Sequence, residues 1–115
     1  MAEPEKSIRL YLMPNGESPF EVWFDRLRDR QGKARILTRI ARVRLGNLGD
    51  WKSVGQGVSE LRIDYGPGYR LYLGNENEEL VILLIGGDKG SQRRDIERSE
   101  EYWDDYQKRK KAKKL

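Results

Sequence analysis

Hydrophobic and polar positions fall into short, distinct patterns along the chain. Residues 7–13 alternate strictly, with Ile8, Leu10 and Leu12 on one side and Arg9, Tyr11 and Met13 on the other. That period predicts a strand. Pro14-Asn15-Gly16 supplies a turn, and Ser18-Pro19-Phe20-Glu21 reads as a helix start, with a hydroxyl cap, Pro in the first position and Glu at the third. Phe20, Trp23, Phe24 and Leu27 then recur at helical spacing to about Arg30.

Gln31-Gly32 predicts a break. A longer helix is expected through about Leu45, with Leu37, Ile40, Ala41 and Leu48 on one face. Residues 46–57 hold four glycines without a period and read as a long loop. Alternation returns at 58–65, where Leu61, Ile63 and Tyr65 oppose Glu60, Arg62 and Asp64. After Gly66-Pro67-Gly68, expected as a type II turn, Tyr69, Leu71 and Leu73 oppose Arg70 and Tyr72, so the two segments form a hairpin. Residues 75–79 are a polar turn. Residues 80–85 are continuously apolar, as in a central strand covered on both faces. Residues 86–91 are expected to leave that strand as a loop, and a last helix is expected from about Gln92 to Gln107. The order is β-α-α-β-β-β-α, one small α+β domain over residues 1–107.

Composition narrows the chemistry. The 115 residues include neither Cys nor His. The common zinc sites, haem and iron–sulfur ligation, Cys nucleophiles and Ser-His-Asp triads are therefore excluded. An enzyme of this composition works with Arg, Lys, Tyr and carboxylates. The start of the chain is polar with charges of both signs, unlike a signal peptide, and the longest apolar run is too short to span a bilayer, so a cytoplasmic protein with no membrane partner is expected.

The net charge of +4 comes from one place. Residues 108–115 contribute six basic side chains and no acid, leaving 17 basic and 19 acidic groups elsewhere. Such a run reads as a disordered tail. The last helix, in contrast, carries six acids and one base between Asp95 and Gln107.

Three candidate surfaces remain. Arg35, Arg39 and Arg42 form a stripe on the second helix, either a solvated face or a surface tracking a nucleic-acid backbone. On the hairpin, alternation brings Glu60, Arg62, Arg70 and Tyr72 to one side, either as cross-strand ion pairs or as a phosphate clamp with a proton-transfer group. Lys89 lies in the Gly-rich segment after the central strand, whose spacing does not fit a Walker loop.

The blocks Glu60-Leu61-Arg62-Ile63, Gly66-Pro67-Gly68-Tyr69-Arg70 and Gly86-Gly87-Asp88-Lys89, with Gln92 and Asp95-Ile96, resemble the RelE/ParE toxin superfamily, in particular its HigB-like addiction module killer branch. Ser18-Pro19-Phe20 with Trp23 and Leu27 is similar to that branch's first helix. The resemblance implies a RelE-like fold with a curved, mostly antiparallel sheet. It implies the toxin of a type II toxin–antitoxin system, a ribosome-dependent mRNA interferase acting without metal or cofactor. Its partners would be an antitoxin, often of helix-turn-helix type, the ribosome and mRNA.

By the same resemblance, Arg70 would stabilise the scissile phosphate and Lys89 takes the position of a basic residue after the last strand; in the mechanism expected from this and the hairpin face, Arg62 assists Arg70 and Lys89 binds the phosphate or protonates the leaving oxygen. Glu60, if burial raised its pKa, would take the 2′-OH proton. Arg35, Arg39, Arg42, Lys52 and Tyr72 would contact RNA. Glu60 and Arg62 stand where RelE itself carries two lysines. ParE-like members share the fold but poison DNA gyrase, and under that alternative the hairpin charges would be structural.

Overall fold

A computed structural model describes residues 5–113. Its elements are β1 (Ser7–Leu10), α1 (Pro19–Arg26), α2 (Arg30–Arg44), β2 (Trp51–Gly55), β3 (Val58–Ile63), β4 (Tyr69–Asn75), β5 (Leu80–Asp88), a single 3-10 turn (Lys89–Ser91) and α3 (Gln92–Lys113). The five strands form one sheet in the order β1-β5-β4-β3-β2. β1 runs parallel to β5, and every other pairing is antiparallel.

The sheet separates two apolar cores. Leu61, Ile63, Leu71, Leu73 and Leu83 pack with Phe20 of α1 and with Ile36 and Val43 of α2. Val58, Tyr72, Ile82 and Leu84 face the other way and pack under Trp103 of α3. A bulge between Tyr72 and Leu73 in the β4–β5 pairing turns both Leu84 and Ile85 toward α3. The hairpin's own alternation is thus what assigns each strand residue to a layer.

Several boundaries differ from the sequence expectation, each for a local reason. α1 stops at Arg26, and Asp29 caps α2 by accepting from the Gly32 N–H at 2.9 Å. Gly32 therefore lies inside the second helix, where a Cβ would crowd Tyr69 and Asp29. The Tyr69 hydroxyl donates to the other Asp29 oxygen at 2.8 Å, tying β4 to the helix start. The face that α2 buries is Ile36 and Val43 with Ile40 half-buried, whereas Leu37 points to solvent at 54% exposure. At the end of β1 and just beyond it, Tyr11 is buried and Leu10 and Leu12 are exposed.

Residues 51–55, expected within a loop, are strand β2, a short half-wet edge paired with β3. β5 runs on through Gly86 and Gly87, which do not break the strand. Their missing side chains make room for Trp23 of α1 on one face and Asp95 of α3 on the other, with which a Cβ would collide. In the hairpin turn, Gly68 N–H donates to Tyr65 O at 3.0 Å, so Gly66, at φ 56°, takes the first central position and Pro67 the second. That reverses the placing of a type II turn.

The basic run is not a loose tail up to Lys113. Residues 108–113 continue α3. Lys108 pairs with Asp104 at 2.9 Å and Arg109 with Asp105 at 2.6 Å, both one turn back. Cations in a last turn also meet the negative end of the helix. Residues 114 and 115 lie outside the described part of the chain.

Candidate functional site

The hairpin register brings the four charged and polar residues of β3 and β4 together as alternation requires. Glu60 stands opposite Tyr72 and Arg62 opposite Arg70. Lys52 of β2 is the partner of Glu60 on the outer side. All five share the α3 face of the sheet, beside the start of α3.

Glu60 is the centre of the cluster and is fully buried. It accepts from Arg62 Nε at 3.0 Å, Tyr72 Oη at 3.1 Å and Gln92 Nε2 at 2.9 Å. Arg70 Nε lies 3.7 Å from its second oxygen. Burial alone would push the carboxyl up, but the hydrogen bonds from Gln92, Arg62 and Tyr72, with the charge of Arg62, outweigh it. Glu60 is held below the ordinary glutamate range. The condition under which it would serve as a general base is not met: it is an anion whose oxygens are engaged.

The two arginines are oriented by that anion and remain under-committed. Arg62 gives Glu60 its Nε–H, and its side chain is 38% exposed. Arg70 is mostly buried, and its Nη1 donates to Gly68 O at 2.9 Å. Its Nε is buried without a hydrogen-bond partner among the described residues. The resulting site is a pair of guanidinium groups fixed side by side on one carboxylate, an arrangement suited to a phosphate or another oxyanion.

Lys89 opens the 3-10 turn after β5 and is exposed. Gly68 locates it: a Cβ there would sit 3.2 Å from Arg70 Nη1 and 3.5 Å from Lys89 Cβ. Lys89 and the Arg70 head therefore flank one glycine, with Lys52 on the far side of Glu60. Asp88 holds the turn by accepting from the Ser91 N–H at 3.1 Å, and Ser91 in turn donates to Asp95. Asp95 is buried over Gly87, and burial raises its pKa.

Tyr72 and Arg39 are structural and not RNA-facing. Tyr72 is wholly buried in the α3 core and donates to Glu60, so its ring offers no surface to RNA. Burial and the adjacent Glu60 charge push its hydroxyl far up, keeping it protonated. Arg39 is a brace between backbone segments. Its Nη1 donates to Arg62 O at 2.6 Å and its Nη2 to Leu48 O at 2.9 Å and Asp50 O at 2.7 Å. Arg35 stacks over the Tyr65 ring at 4.4 Å, and Arg42 is exposed. The whole stripe belongs to α2, which packs on the sheet face opposite the Glu60 cluster.

Gln92 and Asp95 complete the site from α3. Sequence pattern alone did not give them these roles, because a helix start 32 residues from Glu60 shows its relation to that carboxylate only once α3 is docked.

The fold and site together define a small α+β domain with an arginine pair built on a buried carboxylate. A protein of Haemophilus influenzae, described as an uncharacterized protein, is 52% identical over 80 residues, spanning 70% of this chain and 81% of that relative. The chain belongs to that protein's family. No family model matches the chain, and no solved structure matches it. Among the described residues no helix is long and apolar enough to cross a membrane.

Proposed function

We propose that the chain is the toxin of a type II toxin–antitoxin pair, an endoribonuclease that cuts mRNA on the ribosome. The observation that carries this reading is the Arg62/Arg70 pair, fixed on one buried carboxylate and flanked by Lys89 and Lys52. The blocks that resemble the RelE/ParE superfamily contribute all of these groups except Lys52.

The reaction needs no side-chain nucleophile. The 2′-oxygen of a nucleotide bonds to the adjacent phosphorus and the bond to the 5′-oxygen breaks, giving a 2′,3′-cyclic phosphate and a 5′-OH. Arg70 and Arg62 donate to the phosphorane oxygens, where preorganised donors contribute roughly 10²–10³ in rate each. Lys89 protonates the departing 5′-oxygen, and the 2′-OH proton passes to water. Glu60 is a positioning residue: it keeps both guanidinium groups aimed and touches no substrate.

The test is induced expression in a bacterial host. Growth arrest with new transcript 5′ ends is expected, and Arg70→Ala should relieve both. Arrest that persists in this variant, with the protein folded, would sink the assignment. The saturated state of Glu60 also favours a second reading, the gyrase-poisoning branch, in which these pairs are structural. In that case supercoiling fails while transcripts stay intact, and Arg70→Ala leaves the poison active.

A further inference from the structure

The carboxylate of Asp95 has no part in the reaction as written, yet it is only 4% exposed and accepts a hydrogen bond from Ser91. It lies over Gly87, where an added Cβ would collide with its Oδ2 and meet Ser91 Oγ at 2.9 Å. Gly87 is the register partner of Arg70. Partners across an antiparallel pair project to the same face. The space that Asp95 fills is therefore the one beside the Arg70 side chain, on the flank away from Glu60.

What Asp95 takes is the hydroxyl proton of Ser91. A serine has one such proton, and with it committed the oxygen's lone pairs are free to accept the Asp88 N–H at 3.3 Å. Asp88 in return accepts the Ser91 N–H at 3.1 Å, which closes a reciprocal box around Lys89 and Gly90. Among the described residues the other acceptors near that proton are Asp88 O at 3.4 Å and Asp88 Oδ1 at 3.5 Å, and both are long for a hydroxyl donor. Lys89 is thus carried on a short turn whose closing hydroxyl is oriented from α3. Its own side chain is exposed and flexible, so the backbone of the turn sets its aim.

We infer that Asp95 is a positioning residue, which through Ser91 holds the Lys89 turn against the Arg70 head so that the ammonium meets the phosphate bound by the arginines. The inference rests on the nuclease reading, in which Lys89 acts on the departing 5′-oxygen. It accounts for a buried carboxylate at a place where an apolar side chain would pack at lower cost. It also accounts for Gly87, since any side chain there would push Asp95 and Ser91 apart from the strand. Arg70 is then framed by two buried acids: Glu60 orients the guanidinium from β3, and Asp95 orients its cationic neighbour from α3.

The experiment measures single-turnover cleavage of mRNA on ribosomes by the full chain. Lys89→Met should lower the rate roughly 10²-fold or more, as loss of a general acid does. Asp95→Ala should lower it about tenfold or more, the effect of a small misplacement of a reacting group. Asp95→Asn, whose amide oxygen still accepts from Ser91, should recover most of that loss. In a Lys89→Met background, Asp95→Ala should add less than about twofold, because the two act through one group. Ser91→Ala repeats the test with a smaller change should Asp95→Ala fold poorly. Amide exchange at Asp88 and Ser91 reads the turn itself and should be about tenfold faster in Asp95→Ala, with the β3 and β4 amides unchanged. Full rates in Asp95→Ala and Ser91→Ala, or losses that multiply with that of Lys89→Met, would overturn the inference and leave the nuclease reading standing. A wild-type chain that cuts no RNA while its Asp88 and Ser91 amides exchange slowly would overturn the nuclease reading, and the catalytic use of Lys89 with it.

Discussion

Arg39 and Arg70 look alike in sequence, each an arginine on an alternating or helical face, yet the fold uses them in opposite ways. Arg39 gives its donors to three backbone carbonyls, tying α2 to the 48–50 segment and to β3. Arg70 has one firm acceptor, a distant carboxylate oxygen and a buried Nε with nothing to bond. A guanidinium whose donors are all taken is a brace. One held by a single acceptor and a nearby charge is the kind of group proposed above to bind a ligand. Charge counting cannot separate the two, but a census of acceptors can.

The largest effect should come from the group on which the second region depends. Glu60→Gln removes a buried charge from beneath two arginines. Breaking such a pair costs about 3–5 kcal/mol, so the urea midpoint should fall sharply and, on the proposed function, nuclease activity should vanish. An unchanged midpoint would mean that Arg62 and Arg70 need no anchor.

The pair Arg39→Ala and Arg70→Ala then tests the comparison itself. Arg39→Ala leaves the Leu48, Asp50 and Arg62 carbonyls short of a partner and should cost about 1–3 kcal/mol of stability with kcat retained in the folded protein. Arg70→Ala should lower the cleavage rate by roughly 10²–10³ with a smaller loss of stability than Glu60→Gln. Reversed outcomes would exchange the roles of brace and binding group.

The contrast also explains which parts of the molecule could be read from pattern. The hairpin face was readable, because period-two alternation in 58–63 and 69–73 has one geometric meaning and the register confirms it. Of the stripe expected on α2, Ile40 and Leu48 pack on the core while Leu37 and Ala41 face solvent and Ile36 and Val43 take the buried positions. Leu37 and Ile36 are equally apolar, and only the docking of the helix decides that Ile36 is buried. Gly86 and Gly87 read as breakers, since nothing local signals that Trp23 and Asp95 will need the space. Trp51–Gly55 is five mostly exposed residues whose pairing partner, β3, does more to define it than its own composition. The direction in which the Glu60 carboxyl departs from its ordinary range is hidden for a similar reason. Its acidity follows from Gln92, Arg62 and Tyr72 converging on it, two of them visible in the hairpin and one supplied by α3.

A pH series sharpens the same point with a smaller effect. Because the folded pKa of Glu60 lies below its ordinary value of about 4.3, its stabilising contribution is complete above that value and is lost as pH falls through the lower folded pKa. Wild-type stability should therefore drop on acidification below about pH 4 more steeply than that of Glu60→Gln. Parallel curves would show that the carboxylate is not held ionised by its neighbours.

The smallest effects are expected where the sequence alone suggested an RNA surface. Arg35 rests on the Tyr65 ring, a contact of about 0.5–1 kcal/mol at an exposed site, and Arg42 is exposed on the same helix. Both lie on the α2 side of the sheet, away from the arginine pair. Arg35→Ala should cost no more than that contact, Arg42→Ala should shift stability by less than about 0.5 kcal/mol, and neither should alter the cleavage rate. The decisive measurement is the salt dependence of RNA binding. Each phosphate contact removed lowers the slope of log affinity against log salt by about 0.7 for a single strand, and Arg62→Ala should show that loss where Arg42→Ala does not. A reduced slope in Arg42→Ala would extend the substrate path around the β2 edge to the far face of the sheet. The stripe on α2 would then regain the role its spacing suggests, and the division between brace and binding group would run through the stripe, with Arg39 alone on the structural side.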